Sequence, residues 1–230
     1  MSLTVAVVQT TCAPAGVEGN AAAHAAHVET AGADVVLFPE LSLTGYALDA
    51  IAGGLTVERD DERLAPLVDA CARTGAVAVA GAPTDGLLAA LVIDGSGVRD
   101  VYGKRHLHGA ERDVFAPGDR DVLVEAGGLR LGLGICFDSA HDAHAAGCRA
   151  AGADAYLVGA LFVDGEEDEL ERRMAARARD HGLWVALANH AGPTPLGRAC
   201  GGSGVWAPDG EPVAQLGREP GVLTARLPAG

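Results

Sequence analysis

The sequence predicts an α/β domain in which parallel and antiparallel strands both occur. Three observations lead there. Short apolar runs with strand-like alternation recur along the chain, stretches suited to helices lie between them, and tight glycine turns join several strands directly. The 230 residues fit one domain better than two, and no linker, repeat or low-complexity segment divides them. Residues 1–230 are therefore read as a single domain. At 49% hydrophobic the chain can bury a sizeable core, and with aromatics at 4% and 32 glycines that core is expected to be small and aliphatic.

The elements follow in order. Residues 3–9 open the chain as a strand, and an Ala- and His-rich helix is expected at about 17–31. His24 and His27, three apart, read as part of its polar face. A strand at 34–38 runs into Pro39-Glu40. Asp60 and Asp61 suit the first turn of a helix near 59–74, where carboxylates complement the positive end of the helix dipole. Residues 76–82 read as a strand, and 87–94 and 98–102 as a hairpin around Gly95-Ser96-Gly97. Strands at 121–125 and 129–135 meet through Gly127-Gly128. Then come a helix near 141–151, a strand at 155–158, a charged helix at 166–181 and a strand at 183–188. The tail, 204–227, reads as hairpins turning at Asp209-Gly210 and at Glu219-Pro220-Gly221.

A formal net charge of -14 speaks against nucleic-acid or anionic-membrane partners, which require a basic face. Solubility alone accounts for the acid excess. The cysteines, Cys12, Cys71, Cys136, Cys148 and Cys200, are odd in number and scattered, with no Cys-x-x-Cys pair. Neither a disulfide framework nor a zinc ribbon fits, and a reducing cytoplasm is the expected location. No basic leader or cleavage site precedes the first strand, and no apolar stretch suits a bilayer span.

Four segments carry the residue types that chemistry needs. Cys136 ends the apolar run Leu129-Arg130-Leu131-Gly132-Leu133-Gly134-Ile135, so a strand fixes it and a turn exposes it. A lone cysteine there is ordinarily a packed thiol, so its company decides. Glu40 ends the run Leu37-Phe38-Pro39 and is either a loop carboxylate in water, the commoner case for such a segment alone, or a general base whose pKa apolar neighbours raise. Lys104, just past a strand, is either a solvated charge or a fixed cation for an oxyanion. Glu111, close after it, is a further catalytic candidate that could orient the lysine or receive and relay protons.

Taken together these segments resemble the nitrilase, or carbon–nitrogen hydrolase, superfamily. The order Glu, Lys, Glu, Cys is carried by Phe-Pro-Glu-Leu-…-Thr-Gly-Tyr around Glu40, Tyr-x-Lys-x-His-Leu around Lys104, and Glu111 with Phe-x-Pro-Gly after it. Gly-x-x-x-Cys-x-Asp surrounds Cys136. Farther on, Ala188-Asn189-His190-Ala191-Gly192 and Gly202-Ser203-Gly204-Val205-Trp206-Ala207-Pro208-Asp209-Gly210 continue the match, so it covers almost the whole chain. The resemblance implies a four-layer α-β-β-α sandwich with two mixed sheets. It also implies roles: Cys136 as nucleophile, Glu40 as base, Lys104 and the Phe137 backbone N–H as oxyanion donors, and Glu111 as a support for the lysine. Tyr46, Leu161 and Phe162 become candidates for the substrate pocket. No metal or organic cofactor is implied. The expected partner is a small amide, nitrile or ureido acid, and the expected assembly a homodimer or higher homo-oligomer.

The match departs after the cysteine. Where the family often continues Tyr-Asp-x-Arg-Phe-Pro-Glu, this chain reads Phe137-Asp138-Ser139-Ala140-His141-Asp142-Ala143-His144. Gly159 stands where many relatives have proline. A carbamoyl or dicarboxylate monoamide substrate would need an arginine or other donor in the pocket, for which Arg105, Arg112, Arg172 and Arg173 are the candidates. Other readings stay open. His141, Asp142 and His144 suggest a metal site but lack a second cluster. His106, His108, His181 or His190 could serve a histidine-dependent cysteine hydrolase. A catalytically silent scaffold is the non-enzyme alternative.

Overall fold

A computed structural model describes residues 2–228. One six-stranded sheet combines β1 (Ser2–Gln9), β2 (Val35–Leu37), β3 (Val77–Thr84), β4 (Leu87–Asp94) and β5 (Gly97–Gly103) with β14 (Gly221–Pro228) from the far end of the chain. The other combines β6 (Leu123–Ala126), β7 (Leu129–Ile135), β8 (Ala155–Ala160), β9 (Trp184–Asn189), β12 (Gly204–Trp206) and β13 (Pro212–Gln215). The spatial orders are β14-β1-β2-β3-β4-β5 and β13-β12-β9-β8-β7-β6. Each sheet is parallel at its centre, β1-β2-β3 and β7-β8-β9, and antiparallel toward its edges. A separate hairpin joins β10 (Ala191–Thr194) to β11 (Gly197–Cys200).

Alternation along the strands sorts the side chains into layers. Leu3, Val5 and Val7 share a buried cluster with Val35, Leu37 and Val79, and with Leu131, Leu133, Ile135, Leu157 and Ala186 of the other sheet. The two sheets therefore pack face to face. The intervening residues point outward. Ala6, Val8, Val36 and Ala78 meet α1 (Val17–Ala31) and α3 (Ala65–Thr74). On the other side Tyr156, Val158, Val185 and Leu187 meet α5 (Asp142–Ala150) and α6 (Glu167–His181). Two short helices, α2 (Leu48–Ala52) and α4 (Glu111–Val114), sit in loops. The result is the expected α-β-β-α sandwich.

Several details differ from expectation. The helix expected over 59–74 is a 3₁₀ turn, Glu62–Leu64, followed by α3, because Pro66 has no N–H to donate and is tolerated only in a first turn. The turn at 219–221 is no hairpin. The chain crosses there to the other sheet, and β14 pairs antiparallel with β1 over its whole length. That pairing covers the open edge of β1 and buries Ala225 and Leu227 in the central layer. His24 is not on a polar face. It is 1% exposed and stacks on Phe38 with ring centroids 4.0 Å apart. Burial pushes its pKa down to about 3, so it packs as a neutral ring. Among the described residues no helix is long and apolar enough to cross a membrane.

Met174 of α6 is fully buried against the second sheet. Met174→Ala should lower stability by about 2–5 kcal/mol through the cavity it leaves. Urea unfolding should show an earlier midpoint with an unchanged slope.

Candidate active site

Glu40 follows β2, Cys136 follows β7, and Asn189 ends β9, so their loops leave the two facing sheets at the carboxyl ends of parallel strands. Open α/β sheets present ligand sites at such ends. Lys104 comes to the same region from the end of β5, and Glu111 from the first turn of α4.

The Glu40 turn is pressed directly onto its neighbouring strands. A Cβ on Gly81 would lie 2.2 Å from the Leu41 nitrogen, and one on Gly159 would lie 2.8 Å from the Phe38 oxygen. Both positions require glycine because backbone occupies the space. The proline of many relatives at position 159 would not fit this approach. Leu41 has φ 48°, a left-handed conformation that costs a non-glycine residue about 1–3 kcal/mol. His190 Nε2–H donates to the Glu40 carbonyl at 2.7 Å, and burial pushes the His190 pKa down to about 4. His190 is thus a neutral clamp on the backbone of Glu40, with the nitrogen that faces Glu40 committed as a donor.

The four polar side chains converge. Lys104 Nζ donates to Glu40 Oε1 at 2.6 Å and to Glu111 Oε1 at 2.7 Å, and its side chain has no exposure. Lys104 is also the only lysine in the sequence; every other side-chain cation apart from histidine is arginine. Burial alone would lower the ammonium pKa, but Glu40, Cys136 and Glu111 together hold it above the ordinary lysine value. Glu111 is fixed on three sides, by Lys104, by the Tyr46 hydroxyl donating at 2.5 Å, and by the His108 N–H donating to Oε2 at 2.8 Å. Tyr46 pays for this with a left-handed φ of 62°.

Burial pushes Glu40 up to about 7, against the pull of Lys104, and Glu111 pushes the same way as burial. Its Oε2 has no conventional hydrogen-bond partner among the described residues, while the Cys136 thiol is close enough to favour the ionised carboxylate. Cys136 has φ 40° and opens a 3₁₀ turn, Cys136–Ala140. Burial, then the Glu40 charge, push its thiol up to about 12, so the sulfur rests protonated. It points at the Leu161 carbonyl, 3.8 Å away. The Phe137 N–H, in the first turn, has no intrahelical partner. The arrangement offers a nucleophile, an adjacent base with a free oxygen, and a fixed cation.

Asp138, displayed in the sequence by the Cys-x-Asp spacing, adds a positioning group to the site. It is fully buried. Its Oδ2 accepts from the Ile135 N–H at 3.0 Å and the Tyr102 hydroxyl at 2.7 Å. Its Oδ1 accepts from the backbone of Arg105 at 3.2 Å and His106 at 2.9 Å, and from His106 Nδ1–H at 2.9 Å. It therefore ties the strand that ends at the cysteine to the segment that follows the lysine. His144 lies behind it, in contact with the Tyr102 hydroxyl at 2.6 Å and the Tyr156 hydroxyl at 2.9 Å.

Of the pocket candidates, Tyr46 and Leu161 touch the cluster, through the Tyr46 hydroxyl on Glu111 and the Leu161 carbonyl near the thiol, and Phe162 does not. The Phe162 ring packs in the outer layer under α6, with the Arg173 guanidinium 5.1 Å from its centroid. Leu161 belongs to the central layer, and Tyr46 lines a cavity between α2 and α4. His141 stacks on His106, Asp142 is exposed and bonds His181 at 2.9 Å, and His144 turns inward, so these three do not converge. His181 is engaged by Asp142, and the His108 ring packs beside the Phe137 ring. Arg105 pairs with Asp121, Arg172 and Arg173 with Glu169, and Arg112 donates to the Leu107 carbonyl.

A sole lysine gives a direct test of this packing. An amine-reactive reagent should leave Lys104 unmodified in the folded protein and modify it after denaturation, read from the mass of the peptide that contains it. Lys104→Met should cost about 3–5 kcal/mol at pH 8 by leaving two buried carboxylates uncompensated. Without the cation the pull that lowers Glu40 is gone, so its pKa rises further in the folded state and its protonation relieves the repulsion. The loss should therefore shrink as pH falls toward the ordinary carboxylate range.

Comparisons with known proteins show which family shares this fold. The carbon-nitrogen hydrolase family model matches residues 4–230. A Pseudomonas protegens protein named "Hydrolase in pqqF 5'region" is 32% identical over 98% of this chain and 83% of its own length. An (R)-stereoselective amidase from a Pseudomonas species is 27% identical over 81% of this chain and 70% of its own. Among solved structures, a mutant of the amidase from Nesterenkonia sp. AN1, with the acetamide moiety of fluoroacetamide added covalently at its active-site cysteine, superposes with a TM-score of 0.88. It is 29% identical, over 98% of this chain and 90% of that one. With the fold, the four-residue cluster and these matches in agreement, the chain belongs to the carbon-nitrogen hydrolase family, within the nitrilase superfamily.

Proposed function

We propose that this protein is an amidase that hydrolyses the carbon–nitrogen bond of a small-molecule amide through a thioester on Cys136. The observation that carries the reading is a single buried ammonium held between two glutamates beside a strained cysteine. A thiol pushed up to about 12 needs a base, and Glu40, pushed up to about 7 with a free oxygen, is the neighbour suited to accept its proton. Sulfur attacks the amide carbon as that proton moves to Glu40. Charge developing on the carbonyl oxygen is met by Lys104 and the Phe137 N–H. The tetrahedral species collapses, the C–N bond breaks, and Glu40 returns the proton to the departing amine. Water then attacks the thioester, giving its proton to Glu40, and the acid leaves with regeneration of the thiol. Glu111 and Asp138 act as positioning residues, one on Lys104 and one between the lysine and cysteine segments. The steps use only these groups and water.

Amide hydrolysis is preferred over attack on a nitrile or ureido acid because two of the compared relatives are amidases. A single domain, a cytoplasmic setting and a homo-oligomer paired through the helix at 142–150 complete the proposal.

A panel of small amides, nitriles and ureido acids, with ammonia release as readout, tests the reaction class. Amides should turn over, and Cys136→Ala should lower kcat by on the order of 10⁵-fold. An acyl mass increment should appear on the Cys136 peptide during turnover; a fully active Cys136→Ala protein would overturn the mechanism.

The pH dependence follows from the direction of the Glu40 shift. The active base is the ionised form, so kcat/KM should rise with pH along an acid limb near the value of about 7, which belongs to the coupled cluster. Glu111 raises Glu40, so Glu111→Gln should move that limb to lower pH, even as activity falls.

A further inference from the structure

From the cavity beside this site we propose that the enzyme selects amides whose non-reacting tail is neutral or cationic and discriminates against tails bearing a carboxylate. The inference rests on the amidase reading above and names its substrate class. A cavity of about 650 Å³ lies between α2, α4 and the tip of the β10–β11 hairpin. That volume suits a small organic ligand. It adjoins the catalytic cluster through Tyr46, which lines the cavity and donates to Glu111. Two further lining residues, Leu48 and Val114, pack on the same central apolar layer as Cys136. The tail of an amide held at the thiol thus has this cavity as its neighbour.

The lining is mostly apolar, with Ala47, Leu48, Ala50, Val114 and Leu196 among its walls. Its charged members are Asp49 and Asp113, one from each flanking helix, and both are exposed at the rim. No arginine or lysine lines it. Arg112 is adjacent in sequence, but its Nε is engaged by the Leu107 carbonyl, and Lys104 is already shared by two carboxylates. A substrate carboxylate would leave water for an apolar chamber with two like charges at the entrance and no free cation inside. An alkyl tail gains from burial there, and a terminal ammonium gains from the rim acids.

The test compares three amides of equal length: hexanamide, the monoamide of adipic acid and the amide of ω-aminocaproic acid. kcat/KM for the two carboxylate-free amides should exceed that for the anionic one by about tenfold or more. In an Asp49→Asn, Asp113→Asn double variant the ratio of anionic to neutral kcat/KM should rise about tenfold, the scale of two exposed charge pairs. Raised salt should move the ratio the same way in the parent enzyme. Equal or preferred turnover of the anionic amide would overturn the inference and leave the amidase reading intact. If none of the three turns over, the amidase reading fails by itself. Calorimetric titration of the Cys136→Ala protein with the same compounds then decides the charge selection separately, weaker binding of the adipic monoamide supporting it and equal or tighter binding refuting it.

Discussion

One ammonium shared by two buried carboxylates constrains most of what surrounds it. At these separations in a low-dielectric interior each charge would be prohibitive alone, and only the three together are tolerable. That sets the sum at one net negative charge and raises Glu40 into the range of a base at neutral pH while leaving Lys104 cationic. A lysine is required because its compact ammonium can sit between two acceptors and still have a proton free for a third. An arginine fork would commit its donors in a plane. The sequence shows this choice in an unusual way: apart from histidine, arginine serves at all the other positions where a basic side chain is used, and lysine is kept for this one.

Holding such a cluster takes backbone strain in three places. Leu41, Tyr46 and Cys136 all adopt left-handed φ values, at 48°, 62° and 40°, and each flanks or belongs to the cluster. Strain of this kind persists only where surroundings over-determine it. Here the surroundings are identifiable. The Glu40 turn lies on Gly81 and Gly159 and is pinned by His190, Tyr46 is held through Glu111, and the cysteine turn is bracketed by Asp138. The sandwich provides two rigid sheets, and these contacts convert rigidity into position.

The parts of this structure that were legible in the sequence are those with a local cause. Alternation in β7 announced a strand ending at Cys136, and the same alternation, extended to every strand, separates the central layer from the outer ones. That Glu40, Lys104, Glu111 and Cys136 belong together was suggested by motif order, which reports spatial convergence without explaining it. What was not legible depends on distant partners. The crossing of β14 to the other sheet answers an edge on β1 more than two hundred residues away, and nothing in 219–221 encodes it. His24 sits at a position that reads as polar, but the stacking surface of Phe38 makes it a core ring. Phe162 follows a strand as a pocket residue would, yet strand parity turns it toward α6.

The divergent stretch after the cysteine has a physical account of the same non-local kind. Asp138 accepts from Tyr102, and a hydroxyl has one proton, so the short contact from Tyr102 to His144 Nε2 must be a donation by the imidazole. His144 Nδ1 is then the acceptor of the Tyr156 proton. Burial lowers the His144 pKa, consistent with the neutral ring this wiring needs. Every donor in the chain therefore points toward Asp138, and the tautomer is fixed without any metal or counter-ion. Of the residues that broke the family pattern, His144 thus ends up supporting the carboxylate that joins the cysteine strand to the lysine segment. The carboxylate is oriented by a buried hydrogen-bond chain whose members come from β5, α5 and β8, the first of them distant in sequence from the other two.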